Sequence, residues 1–204
     1  MMRNGSTLML VAGLLCACAQ AQAGDWSWGR HGATHNAGGV ENADGAYGFV
    51  FPVSQARPDS RMTPGALNPD VTQANIHSTI CVKGFTRTIR PDEQYTERLK
   101  REQIVVYGYS DRRLRDYEED HLVSLELGGS PTDPRNLWPE PHHVMGGWGS
   151  YAKDRLENEF NQMVCRGRLP LADAQSMIAH DWIAAYRRFI GNVPDDSRGH
   201  RYGD

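Results

Sequence analysis

The chain has no surplus of positive charge: 22 Lys and Arg face 25 Asp and Glu, for a formal net charge of −3. A uniformly basic nucleic-acid binder is excluded. It also lacks a hydrophobic run of membrane-spanning length. The longest, "LMLVAGLLCACA", is too short for a stable transmembrane helix and has no stop-transfer flank. Cysteine is scarce, at four, and no paired CxxC motifs occur, which argues against a structural zinc.

What stands at the N-terminus is a targeting pattern. Arg3 precedes the apolar run, and Ala21-Gln22-Ala23 gives the small-x-small site of a signal peptidase. Residues 1–23 are therefore expected to be an export signal, with a lipoprotein site at Cys18 as the alternative. Export implies a periplasmic or secreted protein without a stable membrane span once the signal is removed. Cys81 and Cys165 are the cysteines then left, an even count in an oxidising compartment, so a disulfide between them is expected.

Residues 24–60 are rich in Gly, Asn, Asp and Ser without helical or strand period, and are expected to form a disordered, flexible leader. The folded domain is expected over 61–190 and a polar tail over 191–204. Within the domain, "STICV" reads as a strand expected to pair with "GFTRTIR", and "DEQYTERLKREQIVVYGY" as a short helix capped by Asp92. A strand is expected from about Tyr117 to Leu127, ended by Gly128 and Gly129. "RNLW" is a short second strand stopped by Pro139 and Pro141, with Trp138 more a core anchor than a stacking platform. Two helices follow, "SYAKDRLENEFNQMVC" with Ser150 as N-cap and "LADAQSMIAHDWIAAYRRFIG" after Pro170. The sum is an α+β chain: strand, glycine loop, short strand and helix inside a mainly helical single domain.

Charge is unevenly spread. From Lys83 to Arg115, nine Lys and Arg stand against five Asp and Glu. This stretch reads equally as a solvated helix face or as a phosphate-steering patch. Just after it, "EEDHLVSLELGG" crowds Glu118, Glu119 and Asp120 against His121. Like charges repel, and an ordinary strand gains nothing from three of them. A cation is one answer. Strict alternation along a strand would send Asp120 and His121 to opposite faces, His121 joining Val123, Leu125 and Leu127. On its own, that pattern favours a buried, hydrogen-bonded histidine.

The longer stretch "DHLVSLELGGSPTDPRNLWPEP", followed by "KDRLENEF", resembles the HNH, or His-Me finger, endonucleases. Asp120-His121, Gly128-Gly129 and Asn136-Leu137 match that family's order and spacing. The close match runs from Glu118 to Pro141 and a looser one from Thr63 to Phe189, with the look of an exported bacterial-type member. The resemblance implies a small ββα-metal finger and a metal-dependent endonuclease of low sequence specificity. Its substrate would be DNA, with RNA as a second possibility, and Mg²⁺ the expected cofactor. His121 would be the general base, Asp120 a metal ligand, and Asn136 the residue that restrains the loop or the histidine.

The family's second metal ligand falls here on Ser150, a poor donor. Asp154 is the favoured substitute, with Asn158 and His143 as alternatives. Arg135 and Lys153 are candidate phosphate contacts, although Lys153 and Arg155 read at least as well as helix-surface partners of Glu157 and Glu159. Two rival readings stand beside this one. The first is a catalytically inactive HNH-like module that binds nucleic acid or protein. The second is another metal hydrolase centred on His142-His143 with Glu140, which lacks a second ligand pair at helical spacing.

Overall fold

A computed structural model describes residues 49–192. The expected signal at 1–23, the leader up to residue 48, and the tail from residue 193 lie outside them. Residues 49–60 lie inside, and they correct the expected domain start at 61. Phe51 and Ala56 are buried in the core. Phe51 bridges Val144, and the Ala56 carbonyl accepts a hydrogen bond from Trp182 Nε1 at 2.8 Å. The scattered aromatics of this low-complexity stretch supply what periodicity could not reveal: single anchors, each burying a large apolar area.

The described residues form an α+β fold with a two-stranded antiparallel sheet and four α-helices. Helix α1 covers Phe85–Ile89 and α2 Glu93–Val106; strand β1 is Tyr117–His121 and β2 Leu137–Pro141; helix α3 is Ser150–Cys165 and α4 Leu171–Phe189. The order β1, β2, α3 is the strand–loop–strand–helix unit expected from sequence. Asp92 caps α2 through Gln94 N at 2.7 Å, as expected. Among the described residues no helix is long and apolar enough to cross a membrane.

Several element assignments differ from expectation, each for a local reason. "STICV" and "GFTRTIR" do not pair as strands: turns and α1 occupy them, with Gly84 in the left-handed region before the helix (φ 86°). Cys81 instead joins Cys165 at the end of α3 in a disulfide, with Cα atoms 5.6 Å apart. Strand β1 stops at His121 rather than Leu127 because the Asn136 side chain intercepts the chain. Its Oδ1 accepts from Val123 N and its Nδ2 donates to Val123 O, both at 2.9 Å. A 3₁₀ turn at Leu125–Leu127 then buries its two leucines.

Strand β2 runs through the two prolines expected to stop it. Bonds from Leu122 N to Asn136 O and from His142 N to Asp116 O bracket the ladder. Alternation from these brackets leaves Pro139 and Pro141, opposite Glu119 and Tyr117, where their nitrogens face away from β1. The cap of α3 is Gly149, and Ser150 is its first helical residue. Helix α4 begins after Pro170 as expected but breaks at Asp181 (φ −158°, ψ 85°). Asp181 Oδ1 restarts it by accepting from Ala184 N and is held by Arg57 at 2.7 Å.

Candidate active site

The site is built where β1 meets the first turns of α3. Helix α3 turns Ala152, Leu156 and Phe160 to the apolar core, and the adjoining face carries Lys153 and Glu157 against β1. Lys153 was expected at a substrate phosphate, and that placement is corrected: its side chain is only 1% exposed. Its ammonium donates to Asp120 Oδ2 at 2.5 Å, to the His121 carbonyl at 2.8 Å, and to the Glu157 carboxylate. The crowded acids do have a cation, and it comes from the chain itself.

Asp120 and His121 are both largely buried, at 9% and 5% exposure, and neither faces bulk solvent. Burial works against the Asp120 carboxylate, but Lys153, a hydrogen bond from Glu140 and His121 together hold its pKa below the usual value. Glu140, fully enclosed, has no hydrogen-bond donor facing its oxygens, and its neighbour is the Asp120 carboxylate. Two carboxyl groups can hydrogen bond only if one is protonated. Burial followed by the charge of Asp120 raises the Glu140 pKa well above normal, so Glu140 is the protonated one.

The His121 ring is fixed by one bond, Nε2 to the Pro131 carbonyl at 3.0 Å. A carbonyl only accepts, so Nε2 carries the proton and Nδ1 is the basic nitrogen. Burial lowers the His121 pKa, opposed by the Pro131 bond and Asp120, which keeps the imidazole neutral near neutrality. Asn136, fully buried, ties Val123 to Ser130 through its amide, with Nδ2 to Ser130 O at 3.0 Å. It thereby holds the loop whose next residue, Pro131, orients the histidine. This is the restraining place expected for Asn136.

Around this centre lie further carboxylates, Glu118 and Asp154, and with them Glu126, which the sequence did not single out. The pKa of Glu118 is pushed up to about 7 by burial, then by Asp120 and Asp154. That of Asp154 rises to about 6 through burial and Asp120, and that of Glu126 to about 7 through burial and Asp154. Of the three candidate second ligands, Asp154 is therefore the one brought into the electrostatic field of Asp120. Asn158 is exposed and turns its amide back to the Asp154 carbonyl at 2.8 Å. His143 sits with His142 and Tyr151 in a ring cluster. His142 bonds Ser150 Oγ through Nδ1 at 2.8 Å, whereas Glu140 faces Asp120, so the His142-His143-Glu140 grouping does not converge.

Arg135 is exposed, and its fork is engaged by Asp133, with Nη2 to Oδ2 at 2.7 Å. The basic stretch is likewise spent mostly on its own segment. Lys100 binds Glu97 and the Tyr117 carbonyl, Arg113 binds Asp111 and Asp116, and Arg112 Nη1 reaches the Ile104 carbonyl at 2.7 Å. Arg90, at the α1–α2 joint, is different. It is exposed, and its charge acts on Glu118, His121 and Asp154. Sequence reading missed Arg90, and the one signal available was its place inside the basic stretch. Trp138 is fully buried, a core anchor.

Among the described residues, no three His, Cys, Asp or Glu side chains converge as a closed metal cage. The donor set is nonetheless all oxygen and negatively biased. It fits a hard cation held by one or two carboxylates, with water and phosphate filling the remaining positions. No family model, curated protein or solved structure matches the chain.

Proposed function

We propose that the protein is an exported, metal-dependent endonuclease of the HNH, or His-Me finger, type, acting on DNA and in second place on RNA. The observation that carries this reading is the fixed tautomer of His121. With Nε2–H committed to Pro131, Nδ1 is left to take a proton from water beside the Asp120 carboxylate. Asp120, with Asp154, would hold the divalent ion, Mg²⁺ by its preference for oxygen donors; when bound, the ion supplies charge neutralisation at the phosphoryl group and the leaving oxygen. Arg90 replaces Arg135 and Lys153 as the phosphate contact, since its guanidinium is the exposed one in the field of the site. Asn136 positions the Ser130–Pro131 loop. The contacts would fall on the nucleic-acid backbone, so sequence specificity is expected to be low. Export accords with the disulfide.

One observation favours the rival reading of an inactive binding module: Asp120 Oδ2 is already engaged by Lys153. Plasmid cleavage by purified protein separates the two. Wild type should nick and linearise plasmid with Mg²⁺ and not with chelator, and His121→Ala should lose about 10²-fold or more of the rate. Arg90→Ala should raise the DNA concentration needed for half-maximal rate. A wild-type protein inactive with Mg²⁺, Mn²⁺, Ca²⁺ and Zn²⁺ alike would leave the binding module as the better description.

A further inference from the structure

Three oxygens from two elements surround Lys153 Nζ: Asp120 Oδ2 and the main-chain carbonyl of His121 at the end of β1, and the Glu157 carboxylate one turn along α3. An ammonium has three protons, and all three are taken. The side chain is 1% exposed, so no face is left for a substrate. A cation ringed by carboxylate and carbonyl oxygens is the coordination a hard metal ion would receive, here supplied by a tethered group. The far end of β1 repeats the arrangement more simply, Lys100 Nζ reaching the Tyr117 carbonyl at 3.3 Å and Glu97 at 2.6 Å.

We infer that Lys153 is a positioning residue that acts as a resident cation: it fixes the Asp120 carboxylate and the His121 main chain without metal, and competes with a divalent ion for Asp120. The inference rests on the reading of Asp120 as the metal ligand. It has two consequences. The site is assembled before any ion arrives, and an ion meets one engaged carboxylate oxygen and a positive charge close by. The free protein therefore holds a divalent ion weakly, and phosphate oxygens complete the coordination when substrate enters. It also explains why α3 has only Ser150 at the family's ligand position: there the helix contributes a cation to Asp120, and Asp154 is left as its one donor to the metal.

The test measures binding and stability, not cleavage. Mn²⁺ affinity, from the electron paramagnetic resonance of free Mn²⁺, and thermal unfolding are compared in wild type and Lys153→Met. Mn²⁺ should leave the wild-type midpoint unmoved. Lys153→Met should bind Mn²⁺ about tenfold or more tightly, because a repelling unit charge is gone and Asp120 Oδ2 is released. Its midpoint should rise with Mn²⁺, and if it is unfolded without metal, Mn²⁺ should restore the folded spectrum. Lys153→Met binding no more tightly than wild type, or staying unfolded in saturating Mn²⁺, would overturn the inference.

A measurement on wild type does not depend on how the variant folds. The chain has three lysines, Lys83, Lys100 and Lys153. In ¹⁵N spectra the Lys153 ammonium protons should exchange slowly and stay unshifted when Mg²⁺ is chelated. Exchange as fast as that of exposed Lys83 would count against the inference. None of these readouts requires cleavage. A protein that passes them but never cuts plasmid keeps its resident cation and loses only the nuclease reading.

Discussion

Glu118, Glu119 and Asp120 are consecutive, yet pleating gives them unlike surroundings. Asp120 has Lys153, and Glu118 faces the Asp154 side. Glu119 points the other way, with both carboxyl oxygens buried and no hydrogen-bond donor facing them. Burial first, and then the charge of Asp120, raises its pKa to about 9, with Lys100 opposing. The folded protein thus holds a proton on Glu119 at pH values where the unfolded chain has lost it. For a carboxyl raised on folding, this stability is fully present below the unfolded pKa and is lost as pH rises through the folded one. Glu118 and Glu126, at about 7, and Asp154, at about 6, act in the same direction. His121 and His142, whose pKa values are lowered by burial, act oppositely, while Glu140 and Glu157, raised by burial, add to the four carboxyls. The unfolding midpoint should therefore fall as pH rises from mildly acidic through about 9. Glu119→Gln should flatten the upper part of that fall and add about 2 kcal/mol at the alkaline end, read from denaturant unfolding across pH. An unchanged slope would show that Glu119 ionises in the fold without cost. The crowding was legible in the sequence, but its resolution was not. Which acid receives the ammonium depends on an α3 face thirty-odd positions away, and one-dimensional spacing does not carry that.

At the scale of elements, the glycines and the asparagine of the motif act as one device. Gly129 N donates to Ser124 O at 2.9 Å, which folds the chain back on itself after the 3₁₀ turn. A Cβ at Gly129 would sit 1.7 Å from the Val123 carbonyl oxygen and 2.6 Å from Asn136 Nδ2, and backbone cannot yield as a side-chain tip can. Gly128 is in the left-handed region (φ 75°) that L side chains rarely adopt. Gly129→Ala should therefore cost about 3 kcal/mol or more in urea unfolding and pull Asn136 off Val123. In a variant still folded, the His121 ring resonances should shift, since Ser130 and Pro131 move with Asn136. A Gly129→Ala protein as stable as wild type would mean that the loop has another conformation available. Here the sequence was most informative. The dipeptide Gly128-Gly129, Asn136 and the strand–loop–strand–helix order were all visible, because each is a local backbone requirement. The extent of β1 was not. The alternation Val123, Leu125, Leu127 looks like a strand, but all three are buried, Val123 in a bend and the two leucines in a 3₁₀ turn, where period ceases to report geometry.

Across the whole molecule, the small sheet cannot stabilise itself, since two strands are marginal in water. It is held by α2, whose Lys100 and Gln103 donate to the Tyr117 and Leu137 carbonyls, and by α3, whose Lys153 donates to Asp120 and the His121 carbonyl. The arm at 49–60 is anchored by Phe51 on Val144 and by Ala56 on Trp182. The disulfide closes this arrangement, linking the segment before α1 to the end of α3 across a sequence separation of 84. Everything that builds the site lies within that span: Arg90, β1, the Ser130–Pro131 loop, β2 and the start of α3. Closing a loop of this length removes freedom mainly from the unfolded chain, worth about 4–5 kcal/mol on the chain-entropy view. Replacing both Cys81 and Cys165 by serine should therefore lower the free energy of unfolding by about that amount while leaving the folded site unaltered. Cys81 is part-buried beside the core, so a fraction of the loss will come from packing. Two measurements separate the sources. A denatured state freed of its cross-link exposes more surface, so the denaturant slope should steepen in the double variant. The His121 ring resonances should stay where they are in wild type. A loss below about 1 kcal/mol with an unchanged slope would mean that the unfolded chain keeps the two segments together without the bond, placing the origin of stability in residual structure rather than in the cross-link.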